Sequence, residues 1–257
     1  MSNCPQCQAE IPEGFRFCGN CGAKLEAPEQ DGAQTMYFGA MQAPNRAKLT
    51  LIKGEGTDGV TYHLNGTEHV AGREEGDIVF PDDPFLSPKH ACFFYEDNKL
   101  IVRDEGSANG LFVRIRKPMS LAPTTRFLVG EQLIRFEPNT EDDIPFQPDE
   151  EGTFFYSSPR RGCIFKLVQI LQGGDVGMIY RAPGDEVVLG REGNDINFPD
   201  DPYISGQHAK VSSTREGSYL TDLGSKNGTF LMINEPYSLA HGDYVFMGQQ
   251  LLKVEIS

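Results

Sequence analysis

Apolar residues in this chain recur in runs of four to seven positions, and each run is bounded by Gly, Pro, Asn or Asp. KLTLI (48–52), KLIVRD (99–104), LFVRI (111–115), RFLVG (126–130) and QLIRFEP (132–138) form one series. FKLVQIL (165–171), SYLTD (218–222), TFLMI (229–233), DYVFMG (243–248) and QLLKVEI (250–256) form another. No stretch sustains a helical period over ten or more residues. The pattern predicts short strands, and many short strands separated by turn formers predict an all-β sandwich or barrel.

The two series are copies of each other. GREEGDIVFPDDPFLSPKHA (72–91) lies on GREGNDINFPDDPYISGQHA (190–209) at an offset of 118, and DEGSANGLF from 104 lies on DLGSKNGTF from 222 at the same offset. A period this long marks two copies of a whole domain, each about 95 residues and large enough to bury its own core. The expected boundaries are 46–140 and 162–257. Residues 26–45 and 141–161 have linker composition, the first rich in Ala, Gln, Pro and Gly, the second acidic and proline-containing.

Four of the six cysteines fall in the first 25 residues, as CPQC and CGNC. Cys4, Cys7, Cys18 and Cys21 form two C-x-x-C pairs, a spacing that offers four thiolates to one tetrahedral ion. Paired disulfides or a dithiol redox motif are the alternatives. Structural zinc, one Zn²⁺ per chain, is preferred because the spacing is specific and the N-terminus has no secretory signal layout. The segment is similar to the short zinc-ribbon family and, at about 25 residues, needs metal to hold itself. Cys92 and Cys163 read as ordinary buried cysteines.

The formal net charge of -14 argues against a general nucleic-acid or membrane-surface binder. No apolar run approaches the roughly 20 residues that span a bilayer, and a cytoplasmic protein is expected.

The repeated residues resemble, in order, four signatures of the forkhead-associated (FHA) domain family: G-R, D-I-x-F, S-x-x-H-A and D-x-G-S-x-N-G-x-F. The resemblance covers about 48–138 and 166–257. It implies two FHA-type β-sandwiches in tandem behind a small zinc ribbon. Each would be eleven-stranded and would bind phosphothreonine in an extended peptide at the loops of one end. By that resemblance Arg73 and Arg191 meet the phosphate, and a planar fork of donors suits its oxygens better than a lysine does. Ser87 and Ser205 complete the anion cradle, Asn109 and Asn227 hold the peptide main chain, and Lys226 adds charge near the phosphate. Gly72, Gly110, Gly190 and Gly228 allow tight turns, and His90 and His208 brace the loops from beneath.

Plainer readings accompany each residue. The arginines could form surface ion pairs, the Asn-Gly pairs could be hairpin turns only, and the two FPDDP segments are rigid turns rather than metal loops. Ser and His in S-x-x-H suggest catalysis, yet the nucleophile elbow and a recognisable oxyanion site are missing. The copies also differ. The first has Ala108 for Lys226, Leu111 for Thr229, Thr124-Thr125 for Gly242-Asp243, and Pro88 after its serine, with Lys89 as partial compensation. Weaker binding, or a different peptide preference, is expected there.

The function implied is a non-enzymatic adaptor or regulator that binds phosphothreonine proteins downstream of a Ser/Thr protein kinase. The alternative is a transcription-associated protein whose ribbon contacts nucleic acid; the ribbon's balanced charge argues against it. In the first linker, Thr35 follows Glu29 and Asp31 and precedes Phe38 by three residues. This resembles FHA regulators whose phosphorylated tail is captured by an FHA domain, within a chain or by self-association between chains.

Overall fold

The alternating segments become strands in the computed structural model, which describes residues 2–3, 6–8, 10–11, 21, 47–52, 59–139, 147–158 and 162–257. The chain divides into two units, Met1–Ala43 and Pro44–Ser257. In the first, β1 (Ser2–Asn3) and β2 (Glu10–Ile11) pair antiparallel, Ser2 opposite Ile11. Cys7 sits half-buried in the turn between them and Cys21 is exposed, and Gln8 takes a left-handed φ of 61° to close that turn. Cys4, Cys18 and Thr35 lie outside the described residues.

The second unit carries ten described strands from each repeat, where the resemblance implied eleven. The first repeat contributes β3 (Ala47–Leu51), β4 (Thr61–His63), β5 (Glu68–Gly72), β6 (Ile78–Val79) and β7 (Ala91–Glu96). It continues with β8 (Lys99–Asp104), β9 (Leu111–Arg114), β10 (Met119–Ser120), β11 (Arg126–Val129) and β12 (Gln132–Pro138). The second contributes β13 (Phe165–Ile170), β14 (Val176–Arg181), β15 (Glu186–Gly190), β16 (Ile196–Asn197) and β17 (Ala209–Thr214). It ends with β18 (Gly217–Asp222), β19 (Thr229–Ile233), β20 (Tyr237–Leu239), β21 (Tyr244–Met247) and β22 (Gln250–Ile256). Equivalent strands therefore differ by ten in number. Strict alternation of buried and half-buried positions in β3 gives one face to the core.

The repeats do not each build their own sandwich. One ten-stranded sheet runs β14-β13-β12-β11-β19-β9-β21-β22-β3-β4, and two five-stranded sheets, β20-β8-β7-β5-β6 and β10-β18-β17-β15-β16, complete the two sandwiches. The first core joins Leu49, Phe93, Leu111 and Val113 to Leu239, Val245, Leu252 and Val254 of the second repeat. The second joins Phe165, Leu189 and Leu231 to Leu121, Phe127, Ile134 and Phe136 of the first. The expectation of one core per repeat is thus corrected: beyond β9 and β19 the chain crosses over, and each sandwich takes its last strands from the other copy.

Pairing rules explain why this is permitted. Strands β11 and β12 carry the same in–out pattern as β21 and β22, so each set fits either slot. The register is reciprocal: Phe127 opposes Leu231 and Val245 opposes Val113, both 118 apart from their counterparts. What exchange adds is the seam. Strands β9 and β19 pair antiparallel from Leu111↔Ile233 to Arg114↔Phe230. Two strands that would otherwise end their sheets thereby cover each other's open hydrogen-bonding edges.

The seam also sets direction. Because β9 and β19 are antiparallel, Gly110 and Gly228, which precede them, lie at opposite ends of the large sheet. Following the register Val113–Leu231–Phe127–Ile134 across the sheet, β12 runs toward the end where Gly110 lies. Following Val113–Val245–Leu252–Leu51 the other way, β3 begins at the end where Gly228 lies.

Interlocked sandwiches should not come apart when the linker is cut. A chain cleaved at a protease site inserted in 141–161 is expected to elute as one particle under native conditions and to unfold in one transition. Two separately eluting fragments would contradict the exchange.

Candidate functional site

At each end of the large sheet three loops converge. The first follows β5 or β15. Arg73 N–H donates to Ser87 carbonyl at 2.9 Å, and Glu74 and Glu75 N–H to Pro88 carbonyl at 3.2 and 3.0 Å. In the second repeat Arg191 N–H is shared between the Ser205 and Gly206 carbonyls, 2.9 and 3.1 Å away. This contact is the reason for glycine before each arginine. A Cβ on Gly72 or Gly190 would stand 2.1 Å from the carbonyl oxygen of Pro88 or Gly206.

The S-x-x-H loop is held from below. His90 and His208 are fully buried. Ser87 N–H donates to His90 Nδ1 at 3.2 Å and Ser205 N–H to His208 Nδ1 at 3.1 Å. An accepting Nδ1 leaves the proton on Nε2, which donates to the carbonyls of Gly110 and Gly228, both at 3.1 Å. Burial keeps His208 below the ordinary histidine range, which favours the neutral ring this network uses. Among the described residues, the ring nitrogens of His90 and His208 meet a backbone N–H and a carbonyl, not a hydroxyl.

The third loop is the D-x-G-S-x-N-G turn. Asp222 Oδ1 accepts from Gly224 and Ser225 N–H, and Oδ2 from the hydroxyls of Ser225 and Thr229 at 2.6 and 2.7 Å. Burial raises the Asp222 pKa, but those donors outweigh it and hold the carboxyl below its usual range. Asp104 and Ser107 repeat the arrangement in the first copy. The turn delivers its next residues to the rim. Lys226 N–H donates to Ser205 Oγ at 3.1 Å, and Asn227 Nδ2 to Tyr203 carbonyl at 2.8 Å. Ala108 does the same to Ser87 and Asn109 to Phe85, at 3.0 and 2.8 Å. Each serine hydroxyl thus accepts an amide and keeps its own hydrogen to give. Each asparagine keeps an oxygen and an N–H for another main chain.

The arginines differ between copies. Arg191 lies along the loop, its guanidinium donating to the carbonyls of Ile204 at 2.7 Å and Pro202 at 3.3 Å. Arg73 turns instead to its neighbour Glu74, at 2.9 and 3.1 Å. Lys89, expected at the rim, pairs with Glu105 at 2.9 Å in a cluster that includes Arg103 and Glu68. Cys92 donates its thiol hydrogen to Glu68 in that cluster, and burial with this carboxylate pushes the thiol up to about 12.

Sequence reasoning missed the second aspartate of FPDDP. Asp83 is buried and accepts from Phe85 N–H, Gln249 N–H and Gln250 Nε2 at 2.7–2.9 Å. Asp201 does the same for Tyr203, Glu131 and Gln132. Each therefore ties a site loop to the last hairpin of the other repeat. Gly130 and Gly248, at φ 62° and 55°, leave room for these carboxylates, 2.6 Å from where a Cβ would sit. The signal was available, since both residues recur at the 118 offset, but their partners lie in the opposite copy. The site glycines are buttressed in the same way: Gly228 stands over Arg114 and Gly110 over Met232.

The family model described as FHA domain matches residues 69–130 and 187–248, and that described as zinc-ribbon domain matches 3–25. The glycogen accumulation regulator GarA of Mycobacterium tuberculosis (strain H37Rv) is 33% identical over 100 residues, 39% of this chain and 61% of that protein. The oxoglutarate dehydrogenase inhibitor of Corynebacterium glutamicum is 29% identical over 114 residues, 44% of this chain and 76% of that protein. The chain thus spans less than two thirds of the first of these relatives. Among solved structures, the FHA domain of CT664 protein from Chlamydia trachomatis is similar with a TM-score of 0.34 and 13% identity, over 82% of this chain and 96% of that one. These relatives are named a regulator and an inhibitor. Among the described residues no helix is long and apolar enough to cross a membrane. With both loop sets in place and both models matched in order, the chain belongs to the FHA-domain family, with two FHA domains in tandem behind an N-terminal zinc ribbon.

Proposed function

We propose that this chain is a non-enzymatic, cytoplasmic regulator that binds phosphothreonine peptides of partner proteins in Ser/Thr kinase signalling. The observation that carries the reading is the second repeat's rim, where Arg191, Ser205, Lys226 and Asn227 come together on loops braced by His208 and Asp222. The Arg191 guanidinium supplies charge-assisted donors, the Ser205 hydroxyl another, and Asn227 the main-chain contacts of an extended ligand. In the first repeat Arg73, Ser87 and Asn109 form the same set, but Arg73 must leave Glu74 and Ala108 offers no charge, so its affinity is lower. Relatives named as a regulator and an inhibitor favour a role in controlling other proteins.

Removing the charged partner of a bound phosphate costs about 2–5 kcal/mol. Arg191→Ala is therefore expected to weaken a phosphothreonine peptide by well over tenfold in calorimetry, with Arg73→Ala having the smaller effect on such an external ligand. Equal affinity of the parent chain for phosphorylated and plain peptides would refute the reading.

The cysteine quartet suits one structural Zn²⁺. Four thiolates are a closed tetrahedral donor set, and Cys7 occupies the turn of a two-strand hairpin, as a ligand-bearing knuckle requires. Cys4, Cys7, Cys18 and Cys21 would hold the ion, which would supply the ribbon's folding energy and no reaction step. Metal analysis of protein purified without chelators is expected to give one equivalent of zinc; less than about half would count against the site.

Thr35 is proposed as a regulatory phosphoacceptor. Ala47, where its linker joins the sheet, lies at the end that carries the second site, and the twelve positions from Thr35 to Ala47 extend to about 40 Å. Kinase treatment is expected to weaken external phosphopeptide binding through Arg191, or to drive oligomerisation if capture is between chains. No difference between the parent chain and Thr35→Ala on either measure would remove the switch.

A further inference from the structure

The 118-residue repeat does not stop at the domain boundaries. Thr153 stands 118 residues after Thr35, in the linker between the two FHA domains. TFFYSS from 153 lies on TMYFGA from 35, so an aromatic residue follows each threonine by three positions, Tyr156 and Phe38. Each threonine also follows an aspartate by four, Asp149 and Asp31.

The structure shows how Thr153 is presented. Asp149 caps a tight turn: its carboxylate accepts from Glu151 N–H at 3.0 Å and Thr153 N–H at 2.7 Å. Asp149 N–H donates to the Thr153 carbonyl at 2.9 Å, and Gly152 closes the turn at φ 82°. Thr153 itself is exposed. The aromatics after it are 55%, 83% and 98% exposed at Phe154, Phe155 and Tyr156.

The sheet decides which site this segment meets. Pro138 and Phe165, the residues from which the linker departs and to which it returns, are paired at one end of the large sheet. That end is the one where Asn109 and Gly110 lead into β9, so the linker emerges beside the first repeat's own phosphate site. Three strand-to-strand steps separate β12 from β9, about 14 Å. Twelve residues join Thr153 to Phe165 and reach about 40 Å when extended.

From this we propose that Thr153 is a second phosphoacceptor and that its phosphothreonine is captured, within the same chain, by Arg73, Ser87 and Asn109. The proposal rests on the phosphothreonine reading above and extends it to the first repeat. Phosphorylation transfers the terminal phosphoryl group of ATP from its bridging oxygen to the Thr153 hydroxyl oxygen, releasing ADP and the hydroxyl proton. The product brings about −1.5 to −2 charges beside Asp149, Glu150 and Glu151. Like-charge repulsion then opens the Asp149 turn and frees the segment. Arg73 is held elsewhere only by an exposed pair with Glu74, the kind of pair worth about 0–1 kcal/mol, so a phosphate displaces it readily. The first rim is also the more apolar one, with Pro88 and Ala108 exposed where the second has Gly206 and Lys226, and this suits a peptide carrying Phe, Phe and Tyr. A weak site is sufficient here, because a short tether holds its ligand at millimolar effective concentration.

The test uses the full chain in a Thr35→Ala background. Incubation with ATP and an extract of the cells that express it should place phosphate on Thr153 by peptide mapping; a map without it overturns the acceptor assignment. With phosphothreonine installed at 153 during synthesis, a broad-specificity phosphatase should release the phosphate at least tenfold more slowly than from the free 147–158 phosphopeptide. Arg73→Ala should restore the fast rate, and Arg191→Ala should not. Equal rates in the parent chain and Arg73→Ala, rescue by Arg191→Ala instead, or protection that grows with protein concentration would each overturn same-chain capture by the first site. Binding of an external phosphothreonine peptide, measured in parallel on Arg73→Ala, whose second site is intact, reports on the general reading alone, so failure of one is not mistaken for failure of the other.

Discussion

Everything in the second unit depends on four residue pairs, Leu111–Arg114 against Ile233–Phe230 in antiparallel register. That seam joins two half-sheets into one and sends the last three strands of each repeat into the other repeat's sandwich. Burial then does the rest. Phe127 and Phe136 of the first repeat are buried in a core built mainly from the second, and Val245 and Leu252 of the second in a core built mainly from the first. At roughly 1.5–3 kcal/mol for each large side chain removed from water, neither sandwich retains a core without the other copy.

The same interlock supports the binding loops. Asp83 and Asp201 reach from the loops ahead of the site serines to hairpins of the opposite repeat, and Arg114 and Met232 lie under the opposite Asn-Gly turns. A site residue can be kept in a narrow geometry only if what lies beneath it is rigid. Here the support is shared, so the two rims form parts of one scaffold and face opposite ends of it. Ligands at both rims are separated by the body of the sheet rather than by a flexible linker, which suits two different peptides better than neighbouring phosphates on one.

Asymmetry between the copies is local and electrostatic. Arg191 rests on two carbonyls, which leaves its charge uncompensated at the rim, whereas Arg73 is neutralised by Glu74. Lys89 is drawn away by Glu105, whose carboxyl stays below its usual range because Lys89 and Arg103 donate to it despite partial burial. One backbone scaffold therefore carries a site whose arginine rests on carbonyls and a site whose arginine is paired, although each arginine is followed by a glutamate, Glu74 or Glu192. The pairing of Lys89 follows from Glu105, where the second repeat has Leu223.

Much of this was legible beforehand. The short alternating runs specified strands, the 118-residue offset specified two like domains, and glycine, arginine, serine, histidine and asparagine at fixed intervals specified the rim. Those are local properties: side-chain period, turn chemistry and charge are carried by the residues themselves. The roles of Asp83 and Asp201 were not legible, because their partners lie in the opposite repeat; nor was the choice by which Arg73 pairs with adjacent Glu74 while Arg191, beside Glu192, turns to the carbonyls of its own loop. Least legible was the exchange. Hydrophobic alternation encodes which face of a strand is buried, and says nothing of which of two near-identical strands will cover it. When two copies share one pattern, either can complete either sandwich, and only the tertiary structure, through the edges covered at the seam, decides between them.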